Sequence, residues 1–117
     1  SKIYFHADAV QAINYLDCDV KKLKVDKLTM SAHKIYGPKG VGCLYVKEGT
    51  PLTPLFFGGG QERKLRSGTE NVAGIVGFGK AIEELRNPKI KIQNIKIRQM
   101  RDKLIKKIIQ VVPHCKL

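Results

Sequence analysis

Two short strand-like runs, each leading to residues that carry chemistry, do most to limit how this chain can fold. The first, Ile3-Tyr4-Phe5, leads to Asp8; the second, Lys27-Leu28-Thr29-Met30, leads to Ser31-Ala32-His33-Lys34. Runs of this length suit strands rather than helices. Lys2 to Ala7 is expected as a short buried strand ending at Asp8, and Lys27 to Ser31 as a second strand. In an open α/β sheet, ligands bind in the crevice outside the C-terminal ends of the strands. The two runs therefore predict that Asp8, Ser31, His33 and Lys34 line one such edge.

The rest of the chain continues this pattern. Ala9 to Ile13 turns away from the first strand, and Asp17 to Leu23 is expected as a short helix. Tyr36-Gly37-Pro38-Lys39-Gly40 reads as a turn from its Gly and Pro content. Val41 to Val46 is a third strand, a hairpin or crossover partner of the second. Gly49 to Pro54 is loop, and Leu55 to Phe57 leads into Gly58-Gly59-Gly60. Thr69 or Asn71 can cap the next helix. That helix, Val72 to Leu85, is expected to bury Ile75, Phe78, Ile82 and Leu85 on one face. Gly74, Gly77 and Gly79 each cost it about 1 kcal/mol relative to Ala, which points to close packing. Asn87-Pro88 ends it. A last helix, Ile90 to Val112, carries a stripe of Ile97, Met100, Leu104, Ile108 and Val111, and Pro113 stops it.

Composition sets the bounds. The chain has 117 residues, 43% of them hydrophobic, enough for one modest core. It opens without Met and stops without a polar tail, and is expected to be an internal piece of a longer polypeptide. The net charge of +12 raises the question of nucleic acid. Its lysines are spread over Lys21 to Lys27, Lys89 to Lys96 and Lys103 to Lys107, without Arg-Gly repeats or interleaved aromatics. A solvated lysine-rich surface is the expected reading, because charge alone is only a compositional signal. The cysteines, Cys18, Cys43 and Cys115, form no C-x-x-C pair, which argues against a zinc site or disulfide framework and fits a reducing compartment. Cys43 lies in an expected strand and is assigned to the core. No apolar run approaches the length of a membrane span, about 18 residues, and no leader peptide is visible.

Three motifs then stand in register. They are His6-Ala7-Asp8-Ala9-Val10-Gln11-Ala12, Ser31-Ala32-His33-Lys34-Ile35-Tyr36-Gly37-Pro38-Lys39-Gly40, and Gly58-Gly59-Gly60-Gln61-Glu62 with Arg66-Ser67-Gly68-Thr69-Glu70-Asn71. In order and spacing the chain resembles the cysteine desulfurases (NifS/IscS-like), pyridoxal-phosphate (PLP) enzymes of the class-V aminotransferase group. The resemblance is strong from Tyr4 to Leu85 and general in the last helix. It implies an α/β fold, a fragment of the large domain of the fold type I PLP-dependent transferases, with a mostly parallel sheet flanked by helices. Residues 1–88 would be the C-terminal part of that PLP-binding domain. Residues 89–117 would be a long helix leading toward a small domain.

The resemblance also implies roles. Lys34 would be the Schiff-base lysine and a proton carrier; outside the motif it would read as a surface lysine. Asp8 would pair with the pyridinium nitrogen and keep the ring an electron sink. Gln11 would meet the ring 3′-oxygen, and Ser31 and His33 the phosphate, to which a hydroxyl and an imidazole N–H are suited donors. Thr69 would reach the phosphate of a partner subunit, which makes a homodimer with a composite site. His6, two residues before Asp8, shares its strand face and serves either packing or the outer part of the site. The glycine run lacks the ending of a nucleotide loop and would pass close to the cofactor or the dimer partner. No metal is implied.

The implied activity is conversion of L-cysteine to L-alanine, with sulfur passed as a persulfide to an iron–sulfur scaffold or tRNA-thiolation acceptor. The compartment would be the cytoplasm, or the mitochondrial matrix in a eukaryote. The reactive cysteine loop and the substrate-binding arginine of the family have no counterparts here, and the piece alone is expected to be inactive. Selenocysteine lyase is the nearest rival, since it shares the Gly-Gly-Gly-Gln-Glu-Arg and Gly-Thr-Glu-Asn elements. An aminotransferase of the same fold is more distant. A rival of another class is a non-enzymatic basic module that binds nucleic acid through the Lys89 to Lys107 helix.

Overall fold

The computed structural model describes residues 2–116. Ser1 and Leu117, the ends from which an internal piece was inferred, lie outside the described residues. The chain divides between Ile82 and Glu83 into two compact units.

The first unit is built on three strands, β1 (His6–Asp8), β2 (Lys27–Ser31) and β3 (Gly42–Val46), in the order β1-β2-β3. β1 and β2 are parallel, with His6 opposite Lys27, Ala7 opposite Leu28 and Asp8 opposite Thr29. β3 returns antiparallel to β2, pairing Ser31 with Gly42 and Lys27 with Val46. The chain is thus α/β with a small mixed sheet. Too little chain separates β2 from β3 for a parallel crossover, which takes a dozen or more residues, so the hairpin alternative holds.

Because side chains alternate along a strand, the sheet has two different faces. Ala7, Leu28, Met30 and Tyr45 lie on one, packed with Ala9 and Val25 into the core. His6, Asp8, Lys27, Thr29 and Ser31 lie on the other. Asp26, itself buried, ties the entry of the sheet together. Its Oδ2 accepts from the Phe5 N–H at 2.9 Å, and its own N–H donates to the Phe5 carbonyl at 2.9 Å. Its carbonyl accepts from the Lys47 N–H at 2.8 Å, which joins the end of β3 to the same point.

The structure departs from the sequence expectation at several points. β1 covers only His6 to Asp8 and is not buried: Ile3 is 90% and Phe5 57% exposed. Among the described residues it pairs with β2 alone, an edge position that leaves its outer side without a packing partner. The short helix α1 spans Val20–Leu23 rather than starting at Asp17. Asp19 caps it instead, its Oδ1 accepting from the Lys21 N–H at 2.8 Å. Cys43 is exposed rather than core, because β3 is the other edge strand and the cluster around Leu28 takes in its Tyr45 but not Cys43.

The helix α2 (Val72–Glu84) buries Gly74, Phe78 and Ala81. Ile75 and Ile82, expected inside with Phe78, are exposed, and Leu85 is half-buried beyond the helix end. The contact face is turned toward the small residues because these permit close approach. A Cβ on Gly77 would lie 3.1 Å from the Pro38 ring. Asn71, not Thr69, is the cap: its Oδ1 accepts from the Gly74 N–H at 3.0 Å.

In the second unit, α3 runs over Pro88–Val111, with Asn87 accepting from the Lys89 N–H at 3.0 Å and Pro88 opening the first turn. Asn87-Pro88 therefore starts one helix as well as ending another, in keeping with the preference of Pro for a first turn. The stripe Ile97, Met100, Leu104, Ile108 and Val111 lies exposed.

Removing the Asp26 carboxylate leaves the Phe5 N–H without its acceptor. Asp26→Ala should lower unfolding free energy by about 1–3 kcal/mol. Asp26→Asn, which keeps an acceptor oxygen, should lose clearly less in the same denaturant titration.

Candidate functional site

The parallel register of β1 and β2 brings Asp8 level with Thr29, two residues short of Ser31. The Ala9 N–H donates to the Thr29 carbonyl at 2.9 Å and fixes the exit of β1 at that level. Asp8 and the Ser31–Lys34 run thus meet on the C-terminal edge of adjacent strands, as the sequence pattern predicts. Asp8 Oδ1 accepts from the Val10 N–H at 2.9 Å. This local bond starts the turn that carries Gln11, which lies exposed beyond it.

After β2 the chain enters a 3-10 helix, Ala32–Ile35. Ala32 and Ile35 are both 0% exposed, while His33 and Lys34 between them are exposed. The two buried residues pin the turn to the core, so His33 and Lys34 project outward. Ser31 Oγ and His33 Nδ1 lie 2.8 Å apart and share a hydrogen bond. That bond fixes the imidazole plane and leaves Nε2 as the outward nitrogen. Tyr36 ends the turn in the left-handed region at φ 69°. The Gly37 N–H then donates to the Ala32 carbonyl at 2.9 Å. A Cβ on Gly37 would meet both the Ala32 Cβ and its carbonyl oxygen at 2.9 Å, so only glycine fits without moving the turn.

The glycine run forms a closed loop of its own. Ser67 Oγ lies 3.2 Å from the carbonyls of both Phe56 and Gly59, and the Gly68 N–H donates to Gln61 Oε1 at 3.2 Å. The Arg66 guanidinium stacks over the Phe56 ring at 4.5 Å. The glycines admit neighbours from within the loop, since a Cβ on Gly59 would lie 2.5 Å from Gln61 Oε1. Glu62, Arg63 and Lys64 all have positive φ, a left-handed turn. It costs roughly 1–2 kcal/mol per residue. Thr69 follows this loop with its side chain exposed, and the bonds that join Asp8, Ser31 and His33 to their neighbours do not reach it.

The sequence pattern does not single out Thr29. Its hydroxyl lies 2.7 Å from His6 Nε2, on the face that Asp8 shares. The alternation of side chains could have found it, because Thr29 and Ser31 must face the same way. A second missed contact is Asn14 Nδ2 donating to Tyr36 Oη at 3.4 Å.

Cys18 and Cys43 lack the surroundings of an activated thiol. Partial burial pushes the Cys18 thiol above its ordinary pKa, and the Asp17 carboxylate adds to this. Cys43 is exposed, yet the strand atoms around its sulfur desolvate it enough to push its pKa up as well, with Glu62 second. Among the described residues no group of three or more His, Cys, Asp or Glu could hold a metal ion, and no helix is long and apolar enough to cross a membrane.

The family model described as aminotransferase class-V matches residues 1–117. The chain is 55% identical over 115 residues to a protein of Clostridium botulinum named cysteine desulfurase IscS. That alignment covers 98% of this chain and 29% of the relative, so the chain spans less than a third of its length. A solved structure titled NifS-like protein superposes with a TM-score of 0.80 at 43% identity, covering 93% of this chain and 30% of that one. Another, titled SspA in complex with cysteine, gives 0.66 at 51% identity, covering 69% and 24%.

Two outcomes are expected. Gly37→Ala should destabilise the protein by about 1–3 kcal/mol through overpacking, measured by chemical denaturation. Cys18 and Cys43 should be alkylated by iodoacetamide more slowly at pH 8 than a free cysteine. Thiolate forms only above a raised pKa, so their rates should still be climbing where the free thiol has levelled off.

Proposed function

The chain belongs to the aminotransferase class-V family, and on that premise we propose that it is part of a PLP-dependent cysteine desulfurase. The observation that carries the reading is the meeting of Asp8 with Ser31, His33 and Lys34 at the edge of a parallel strand pair. Relatives named cysteine desulfurase IscS and a structural neighbour solved with cysteine support the same choice.

The donor set suits PLP: an amine, a carboxylate, a hydroxyl and an imidazole, gathered on one sheet face and the turn that follows it. Bound there, PLP would supply a ring that accepts the electron pair left on the substrate Cα. Lys34 Nζ would anchor the cofactor through its aldehyde carbon and carry the proton taken from the substrate Cα. The Asp8 carboxylate would hold the proton on the ring nitrogen. Ser31 Oγ and His33 would bind the phosphate, with His33 oriented by its bond to Ser31. Gln11 would bind the ring 3′-oxygen, and Thr69, exposed and not used as the helix cap, would reach the phosphate of a second subunit.

The sulfur would leave the substrate by attack of a thiolate supplied outside these residues. The C–S bond would break as an S–S bond forms, the bonding pair staying with Cβ, which takes up a proton; the products are L-alanine and an enzyme persulfide. That persulfide would pass to an iron–sulfur scaffold or another acceptor protein, in the cytoplasm or in a mitochondrial matrix. In this reading residues 1–88 end the PLP-binding domain, residues 89–117 lead toward a small domain, and the chain alone turns nothing over.

Turnover of L-cysteine and of L-selenocysteine by the whole protein tests the proposal, with alanine and sulfide or selenide measured together. Lys34→Ala should reduce alanine formation by at least about 10²–10⁴-fold, the range of a lost acid–base group. Activity on selenocysteine alone would make the protein a selenocysteine lyase. Inactivity on both, with salt-sensitive binding of RNA or DNA, would favour the basic-module alternative.

A further inference from the structure

The polar sheet face holds a pair that the proposed mechanism does not use. His6 Nε2 and Thr29 Oγ1 share a hydrogen bond at 2.7 Å, from β1 to β2. Thr29 is also the residue directly opposite Asp8. His6 and Asp8, two apart on one strand, point the same way. At about 3.3 Å per residue they stand some 6–7 Å apart, which an imidazole can span. His6 therefore has two possible partners within reach: the hydroxyl of Thr29 and the carboxylate of Asp8.

We propose that Thr29 is a positioning residue that holds the His6 imidazole away from Asp8, so that the carboxylate stays available to the cofactor ring nitrogen. Asp8 Oδ1 is already engaged by the Val10 N–H at 2.9 Å. If the imidazole took the other oxygen, the carboxylate would turn from the crevice toward its own strand. Thr29 suits the task because its hydroxyl can either donate to a neutral Nε2 or accept from Nε2–H. The inference rests on the proposed role of Asp8, and the experiment separates the two.

The whole PLP-loaded protein is used. Two readouts are taken besides activity: the equilibrium dissociation constant for PLP, and the ring-nitrogen protonation seen by NMR with ¹⁵N-labelled PLP. Thr29→Val should weaken PLP about five- to tenfold, the scale of one displaced hydrogen bond, and diminish the protonated signal. Thr29→Ala should do the same, and Thr29→Ser should retain wild-type values. The deciding variant is Thr29→Val combined with His6→Ala. With no imidazole left to capture Asp8, it should return to within about twofold of wild type, as His6→Ala alone should remain. A merely structural hydroxyl predicts the opposite, a double variant as weak as Thr29→Val or weaker, and that result overturns the proposal. So does unchanged PLP binding in Thr29→Val and Thr29→Ala while Asp8→Asn loses it. If Asp8→Asn keeps full affinity and ring protonation, the assignment of Asp8 itself fails.

Discussion

The register between β1 and β2 is the constraint on which the rest of the first unit depends. Asp26 and Phe5 set it through two hydrogen bonds, one from the side chain and one from the backbone. A slip of one residue would exchange the two faces of a strand. Ala7 would leave the core and Asp8 would enter it. The same register brings Ser31 and the 3-10 turn to the edge where Asp8 ends. A buried carboxylate at the beginning of the sheet thus governs the arrangement at its far end.

Much of this architecture was legible because the elements obey local rules. The expected β2 matches its observed bounds, Lys27–Ser31, and β3 differs by one residue at its start. β2 reads clearly because polar and apolar residues alternate along it, and β3 because a short apolar run follows the Gly and Pro turn signals. The misjudged features depend on neighbours. β1 was expected to be buried, yet exposure is set by what lies beside a strand, and an edge position cannot be read from Ile3-Tyr4-Phe5. The buried face of α2 was misassigned because periodicity weights large side chains. Gly74 and Ala81 instead define the side of closest approach. Cys43 was misplaced for the same reason as β1.

The candidate site divides along similar lines. Asp8, Ser31, His33 and Lys34 stood out because polar groups interrupt apolar runs at strand ends, where folding alone gives no reason for them. Thr29 did not stand out, since a β-branched residue inside a strand needs no further explanation. Only the pairing of Asp8 with Thr29 gives it significance. Gln11 and Thr69 rested on motif resemblance throughout. Both lie exposed on irregular segments, where neither periodicity nor packing says which way they serve.

The alternation in the Ala32–Ile35 turn reaches beyond geometry. Its outer residues, Ala32 and Ile35, have no exposed surface, and its inner two, His33 and Lys34, face outward. A reactive segment is often placed on a loop that opens at little cost, well below the free energy of global unfolding. Here that latitude is reduced, because releasing the turn would bring Ala32 and Ile35, both fully buried, into water. The Lys34 amine is thus carried on a turn whose release exposes two apolar side chains, so conditions that loosen the interior loosen its placement too.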